Sequence, residues 1–282
     1  MAVPNSKQWS SANPGYIIFL VDQSGSMNEP YSDGRTKAEF TALIINDIIK
    51  DLIFSNMNGN DVKDRVFISV IGYGGSGTLA IDDIRSEYLS HFANHPLRTD
   101  RVKKNVADGA GGLVEVDVTM PVFIDPVANG LTPMSDAFSF AKELINGWMN
   151  KMPENPAPII INISDGLPYA GNRGFSEKQA TIDVCKEIMN IQTSDGSPII
   201  FNSHIGDGEE MYQFIEKEHE IVDDEQALFL FSVSSNVPES YLQAARKWGF
   251  DKVTKESKGF ISNGSAEVFV RFINFGSSGG LQ

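Results

Sequence analysis

The chain has almost no cysteine. A single thiol, Cys185, in 282 residues excludes an internal disulfide and suits a reducing compartment. It falls in a helical pattern with Ile182, Ile188 and Met189, which reads as core rather than catalyst. Long apolar runs are missing too: none approaches 18 residues, and the opening MAVPNSKQWSSANPG has no apolar stretch of signal-peptide length. The expectation is a cytoplasmic chain without a membrane partner. Positive charge is scarce, with 23 Lys and Arg against 37 Asp and Glu and a net charge of −14, which repels phosphate backbones and anionic lipids. The densest basic stretch is only Arg98, Arg101, Lys103 and Lys104, so nucleic acid is not an expected partner. Enzyme signatures are lacking as well: there is no Walker loop, no Gly-x-Ser-x-Gly elbow and no Cys–His pair in a supporting context.

What is present is an ordinary globular composition, 41% hydrophobic and 21% charged, in a chain able to bury roughly three quarters of its unfolded surface. Short apolar runs alternate with amphipathic stretches. Strands are expected at Tyr16–Val21, Arg65–Ile71, Pro158–Ser164, Pro198–Ile205 and Ala227–Val233. Helices are expected at Lys37–Phe54, Met134–Met149, Ser176–Ile191, Glu209–Glu218, Pro238–Trp248 and Ala266–Phe275. Between Gly72 and Gly130 the pattern is less regular, with a helix or turn near Asp82–Phe92 and an alternating edge strand or hairpin at Val114–Ile124 containing Pro121. The acidic run from Asp207 to Glu225 reads as a solvated helix face. The fold expected is α/β: a Rossmann-like, doubly wound, mostly parallel sheet with helices on both faces. One domain is expected over 15–275, flanked by flexible segments at 1–14 and 276–282.

Open sheets of this kind bind ligands beyond the carboxyl ends of their strands. Two apolar strands here end in polar loops, Asp22-Gln23-Ser24-Gly25-Ser26 and Ser164-Asp165-Gly166. Between them in sequence, Gly130-Leu131-Thr132-Pro133 opens a helix with Thr132 in an N-cap-like position. A carboxylate at the tip of a buried strand is costly unless neutralised, and no Lys or Arg lies in any of the three loops. Asp22 and Asp165 with the hydroxyls of Ser24, Ser26 and Thr132 make an all-oxygen set. That chemistry suits a hard cation, Mg²⁺ first, with Mn²⁺ or Ca²⁺ as alternatives.

At these residues the sequence resembles the von Willebrand factor A family, whose metal-ion-dependent adhesion site reads Asp-x-Ser-x-Ser, then Thr, then Asp. The positions match in order at Asp22, Ser24, Ser26, Thr132 and Asp165, and the resemblance runs over roughly Gly15 to Phe275. It implies a Rossmann-like domain with one antiparallel edge strand. It also implies a metal-dependent protein–protein interaction module in which the ion receives an Asp or Glu from a partner. YIIFLVDQSGSM, FIDPVANGLTPM and IINISDGLP are most similar to the bacterial cytoplasmic, tellurium-resistance-associated branch. That branch implies a stress-response, signalling or defence setting beside kinases or phosphatases. The enlarged segment 75–130 would lie near the metal-bearing face.

Other readings carry less. Gly72, Gly74 and Gly77 match Gly-x-Gly-x-x-Gly, but after the wrong strand for a dinucleotide and with no helix opening at Gly77. His91 and His95 have helical spacing but lack the intervening glutamate of a metalloprotease, and Pro96 follows. His204 reads as structural or exposed, and Asp136 as a group behind the metal ligands or a helix-start charge. Phosphotransfer through Asp22 would need a second acid adjacent to it and a lysine at a strand end, so no enzyme is expected. A metal-independent scaffold is the third possibility.

Overall fold

The computed structural model describes residues 3–31, 34–107, 112–171, 175–208 and 210–277. The chain begins its regular structure with β1 (Gly15–Asp22), α1 (Lys37–Ser55), the small hairpin β2 (Met57–Asn58) and β3 (Asp61–Val62), and β4 (Val66–Tyr73). β5 (Ile81–Tyr88), α2 (Leu89–Asn94), β6 (Arg98–Ala107) and β7 (Leu113–Val122) follow. Then come α3 (Met134–Lys151), β8 (Ile159–Ser164), α4 (Phe175–Met189), β9 (Ile199–His204) and β10 (Tyr212–Gln213). α5 (Glu225–Ser232), α6 (Leu242–Lys247), β11 (Phe260–Ser262) and α7 (Ala266–Ser277) complete the order.

Seven strands form one sheet in the order β10-β11-β9-β8-β1-β4-β5. Pairing is parallel through β11, β9, β8, β1 and β4. β5 runs antiparallel on β4, as expected for one edge, and the two-residue β10 makes the opposite edge antiparallel as well. The architecture is therefore α/β, a mostly parallel Rossmann-like sheet with helices on both faces. Strand periodicity explains the layering. Along β1, Ile17, Phe19 and Val21 pack toward α1, α6 and α7, while Tyr16, Ile18 and Leu20 pack toward α3, α4 and α5. A strand covered on both faces has no polar side, which is why YIIFLV is unbroken.

Several expectations give way to tertiary context. Asp82–Phe92 is a half-exposed edge strand followed by a short helix, with Arg85 laid over the Phe92 ring at 4.5 Å. Ala227–Val233 is the helix α5, started by Asp224, whose side chain accepts from the Ala227 amide at 2.8 Å. Ala227, Leu230 and Phe231 then share one buried face at i, i+3 and i+4. The place in the sheet goes instead to β11, three residues that periodicity alone does not reveal. Glu209–Glu218 is not a helix over its described residues: Tyr212–Gln213 pairs with β11, and Phe214 turns the chain with φ +49°. Val114–Ile124 supplies the second arm of a ten-pair antiparallel ribbon, β6–β7.

Within 3–14, part of the segment expected to be flexible, several residues contact the body. Asp195 accepts from the amides of Ser6 (3.0 Å), Lys7 (2.9 Å) and Ala157 (3.2 Å), and Trp9 is buried over Gly15. At the other end Gly276 and Ser277 belong to α7, and the rest of the expected tail lies outside the described residues. Cys185 is fully buried, and burial raises its thiol pKa, consistent with a core role. Among the described residues no helix is long and apolar enough to cross a membrane.

Candidate metal centre

β1 is where the chain changes direction across the sheet, with β4 on one side of it and β8 on the other. The loops leaving β1 and β8 therefore diverge above a crevice, and Asp22 and Asp165 stand on its two sides. The loop carrying Thr132 is stitched to both. Gly25 N donates to Gly130 O (2.9 Å), and Thr132 and Tyr169 exchange backbone hydrogen bonds of 2.8 and 2.9 Å. From behind, Gly130 N donates to Gly74 O (2.6 Å). Gly74 has φ +83°, and a Cβ there would lie 1.9 Å from Leu131 O, so only glycine lets the two loops meet. The Gly72-Gly74-Gly77 pattern is thus a turn between β4 and β5 that supports the Thr132 loop.

The structure brings the sequence-derived residues together. Ser24, Ser26, Thr132 and Asp165 line one cleft of about 740 Å³, while Asp22 is fully buried and does not line it. Asp22 Oδ1 accepts from Ser24 N at 2.9 Å and its Oδ2 from the Ser164 hydroxyl at 2.6 Å. Ser24 Oγ lies 3.1 Å from Ser26 Oγ, which donates to Asp165 Oδ1 at 3.0 Å. The Ser24 amide and the two serine hydroxyls thus link two acids from neighbouring strands. Burial foremost, and then the charge of Asp165, push the Asp22 carboxyl up to about 7, against the opposing hydrogen bonds from Ser164 and Ser24. Thr132 differs from its expected role. Pro133 occupies the N-cap position without a side-chain bond, and the Ser135 amide and hydroxyl are held instead by Glu177 Oε1 at 3.1 and 2.6 Å. The Thr132 hydroxyl is not used to cap α3.

Two residues at the site, Lys37 and Ser164, and a buried polar ladder beneath it escaped the sequence reading. Lys37, 3% exposed, sends its ammonium to Glu29 Oε2 (2.7 Å), Asp207 Oδ2 (3.2 Å) and Asp165 Oδ2 (3.4 Å). Burial works to lower its pKa, but Glu29, Asp165 and Asp207 together raise it. A cation does therefore reach one of the two acids, from the start of α1 rather than from the loops. The signal was the Thr36–Glu39 capping box, whose reciprocal bonds of 2.8 and 3.2 Å fix Lys37 as the first helical residue. Ser164 was read only as the end of a strand. Beneath it a buried polar ladder crosses the sheet: Tyr73 OH to Asn162 Oδ1, Asn162 Nδ2 to Asn202 Oδ1, and Asn202 Nδ2 to Ser234 Oγ, each 2.9 Å.

Asp22 and Asp165 with the hydroxyls of Ser24, Ser26 and Thr132 make an all-oxygen set of the kind a hard divalent cation takes. Among the described residues no three His, Cys, Asp or Glu side chains group as a metal site. Asp136 lies in the first turn of α3. His91 and His95 stack at 4.1 Å between ring centroids, with His91 Nε2 also 3.3 Å from Glu87. His204 is buried at the end of β9, its Nδ1 2.7 Å from Ser262 Oγ. Burial lowers its pKa, opposed by the charge of Asp224 and by the Asp165 backbone and charge.

No family model and no curated protein matches this sequence. Similar solved structures include the PilB minor pilin from Streptococcus sanguinis, at 12% identity and a TM-score of 0.44 over 94% of this chain and 60% of that one. Manganese-loaded Plasmodium vivax TRAP protein is similar at 13% identity and a TM-score of 0.32, over 73% of this chain and 60% of the other. The vWF domain of the type V pili tip protein Mfa5 from Porphyromonas gingivalis is similar at 15% identity and 0.30, over 64% and 51%. The chain thus spans less than two thirds of each of these structures.

Proposed function

We propose that Asp22, Ser24, Ser26, Thr132 and Asp165 hold one divalent cation, Mg²⁺ by the hardness of the oxygen set, in a protein–protein interaction module. The observation that carries this reading is that Ser24, Ser26, Thr132 and Asp165 line one cleft, with Asp22 buried behind Ser24 and accepting from its amide. Two carboxylates balance the charge of such an ion, which when bound supplies an electrophilic position for an outside carboxylate. The residues do the rest. Ser164 and the Ser24 amide orient Asp22, the backbone stitches fix Thr132 beside the serines, and the cleft admits a chain segment. This is the metal-ion-dependent adhesion site that the sequence resemblance implies. A kinase- or phosphatase-linked stress or defence system is the setting that goes with it.

Phosphotransfer through Asp22 is the second reading, because Lys37 and Asp165 supply in space the lysine and second acid that its loop lacks. Against it, Asp22 has no exposed surface and both its oxygens already accept hydrogen bonds, which leaves no free nucleophile. A stable phosphoaspartate at Asp22 after incubation with a phosphodonor would establish it. The scaffold reading rests on Lys37 neutralising Asp165 without metal. To separate these readings, partners are captured from the host on native chain and on Asp165→Ala, in Mg²⁺ and in EDTA. Capture is expected only for native chain in Mg²⁺. Capture that survives both EDTA and the substitution would establish a scaffold.

A further inference from the structure

A second hollow, of about 950 Å³, lies at the far end of the molecule from the cleft. α1 joins the two. Its first residue, Lys37, lines the cleft, and Asp51, Leu52, Phe54 and Ser55 near its end line the hollow, roughly 25 Å away at 1.5 Å per residue. The other walls are the segment ahead of β1, the stretch from Glu239 to Trp248, and the end of α7. Leu52 and Tyr241 are buried in the wall, while Phe54 is 64% exposed and Val3 48%. An apolar hollow with an exposed aromatic ring on its rim combines, on one face, the recess and the projection that a twofold interface needs.

The Glu239–Trp248 wall points to the occupant. Glu239–Tyr241 is a single 3₁₀ turn that runs directly into α6. Glu239, Gln243 and Lys247 line the hollow at intervals of four residues, and all three are exposed. They form a row with an acid at one end, an amide in the middle and an ammonium at the other. Such a row is complementary to itself. Laid antiparallel across a twofold axis at Gln243, each Glu239 meets the Lys247 of the other copy, and the two Gln243 amides face one another as donor and acceptor. Among the described residues neither Glu239 nor Lys247 has an ion-pair partner in its own chain. The two other charged residues of the hollow, Asp51 and Arg65, are again of opposite sign. Two copies of a chain with net charge −14 repel over most of their surface, so a charge-balanced face is where they can meet.

We propose that the chain pairs with a second copy of itself through this hollow, α6 packed antiparallel on α6 and each Phe54 ring seated in the hollow of the other copy. Eighteen residues line the hollow, close to the roughly 20–30 a side of a stable interface, which places the dimer Kd at about 1–100 μM. Because the hollow lies at the far end from the cleft, the dimer leaves both clefts open and pointing apart.

Sedimentation equilibrium of the full chain in EDTA, at concentrations from below to above that Kd, tests the pairing without metal, so its outcome is separate from that of the metal reading. A reversible monomer–dimer equilibrium is expected. Phe54→Glu is expected to weaken it about thirtyfold or more, with unchanged far-UV circular dichroism because the ring is mostly in water in the single chain. Glu239→Lys and Lys247→Glu are each expected to weaken it about fivefold or more, and the two together to return it to within about threefold of native. A chain that stays monomeric throughout, a dimer that Phe54→Glu leaves intact, or a double exchange as weak as either single one would each overturn the proposal.

Discussion

Replacing Asp22 by asparagine isolates the electrostatics of the site from any partner. Asp22 is wholly buried, and its carboxyl is pushed from 3.8 up to about 7. The folded protein therefore keeps a proton that the unfolded chain releases between those values. The stability linked to that proton is complete below pH 3.8 and lost by about pH 7. At 1.36 kcal/mol per unit, the loss across the window is about 4 kcal/mol. Asparagine cannot ionise, retains an acceptor for Ser24 N, and can donate to Ser164. The metal-free variant should thus exceed the native protein by up to about 4 kcal/mol at pH 8, less about 1 kcal/mol for altered hydrogen bonds. At pH 5 the gain should shrink to roughly a third of that before the same correction. Urea titrations in EDTA at the two pH values measure this. In Mg²⁺ at pH 8 the native protein should gain stability by linkage and the variant none. A variant destabilised equally at both pH values would refute the reasoning, since Asp22 would then be an ordinary hydrogen-bond partner rather than a strained charge.

Other outcomes follow from the same contacts. Lys37→Met removes the ammonium competing for Asp165 and should tighten Mg²⁺ by on the order of tenfold in calorimetry. Weaker Mg²⁺ binding would show that Lys37 supports the site instead. Gly74→Ala places a methyl against Leu131 O at φ +83°, and should cost at least about 1–2 kcal/mol in chemical denaturation while weakening Mg²⁺. Asn46 is buried and holds the approach to the Thr132 loop through Phe123 N (2.8 Å), Ile124 N (3.1 Å) and Ile124 O (3.0 Å). Asn46→Ala should lower unfolding free energy by about 2–4 kcal/mol, and a loss under 1 kcal/mol would contradict those bonds.

The parts of the fold legible in the sequence are those with both faces buried. YIIFLV could be a strand because no polar face interrupts it, PIIINIS because Asn162 is its one interior break, and each is followed at once by its acid. The meeting of Ser24, Ser26, Thr132 and Asp165 at one cleft could be anticipated because two of their loops leave buried strands. Ala227–Val233 was not, because an eight-residue helix buried on one side reads like a buried strand until Asp224 is seen capping it. β11 was too short to carry a period. Lys37 escaped because a lysine at the start of an amphipathic helix ordinarily points to water. Its burial depends on Glu29 and on Asp207, 170 residues away along the chain. Ser164 and the Asn162–Asn202 ladder likewise owe their roles to strand register, which no local pattern displays.

The most direct measurement is a calorimetric titration of Mg²⁺ into the native chain at pH 8, with Asp22→Ala, Thr132→Ala and Asp165→Ala beside it. One ion per chain for the native protein, heat abolished in both aspartate variants and reduced in the threonine variant, is the result this account predicts. Equal heats in all four would contradict it.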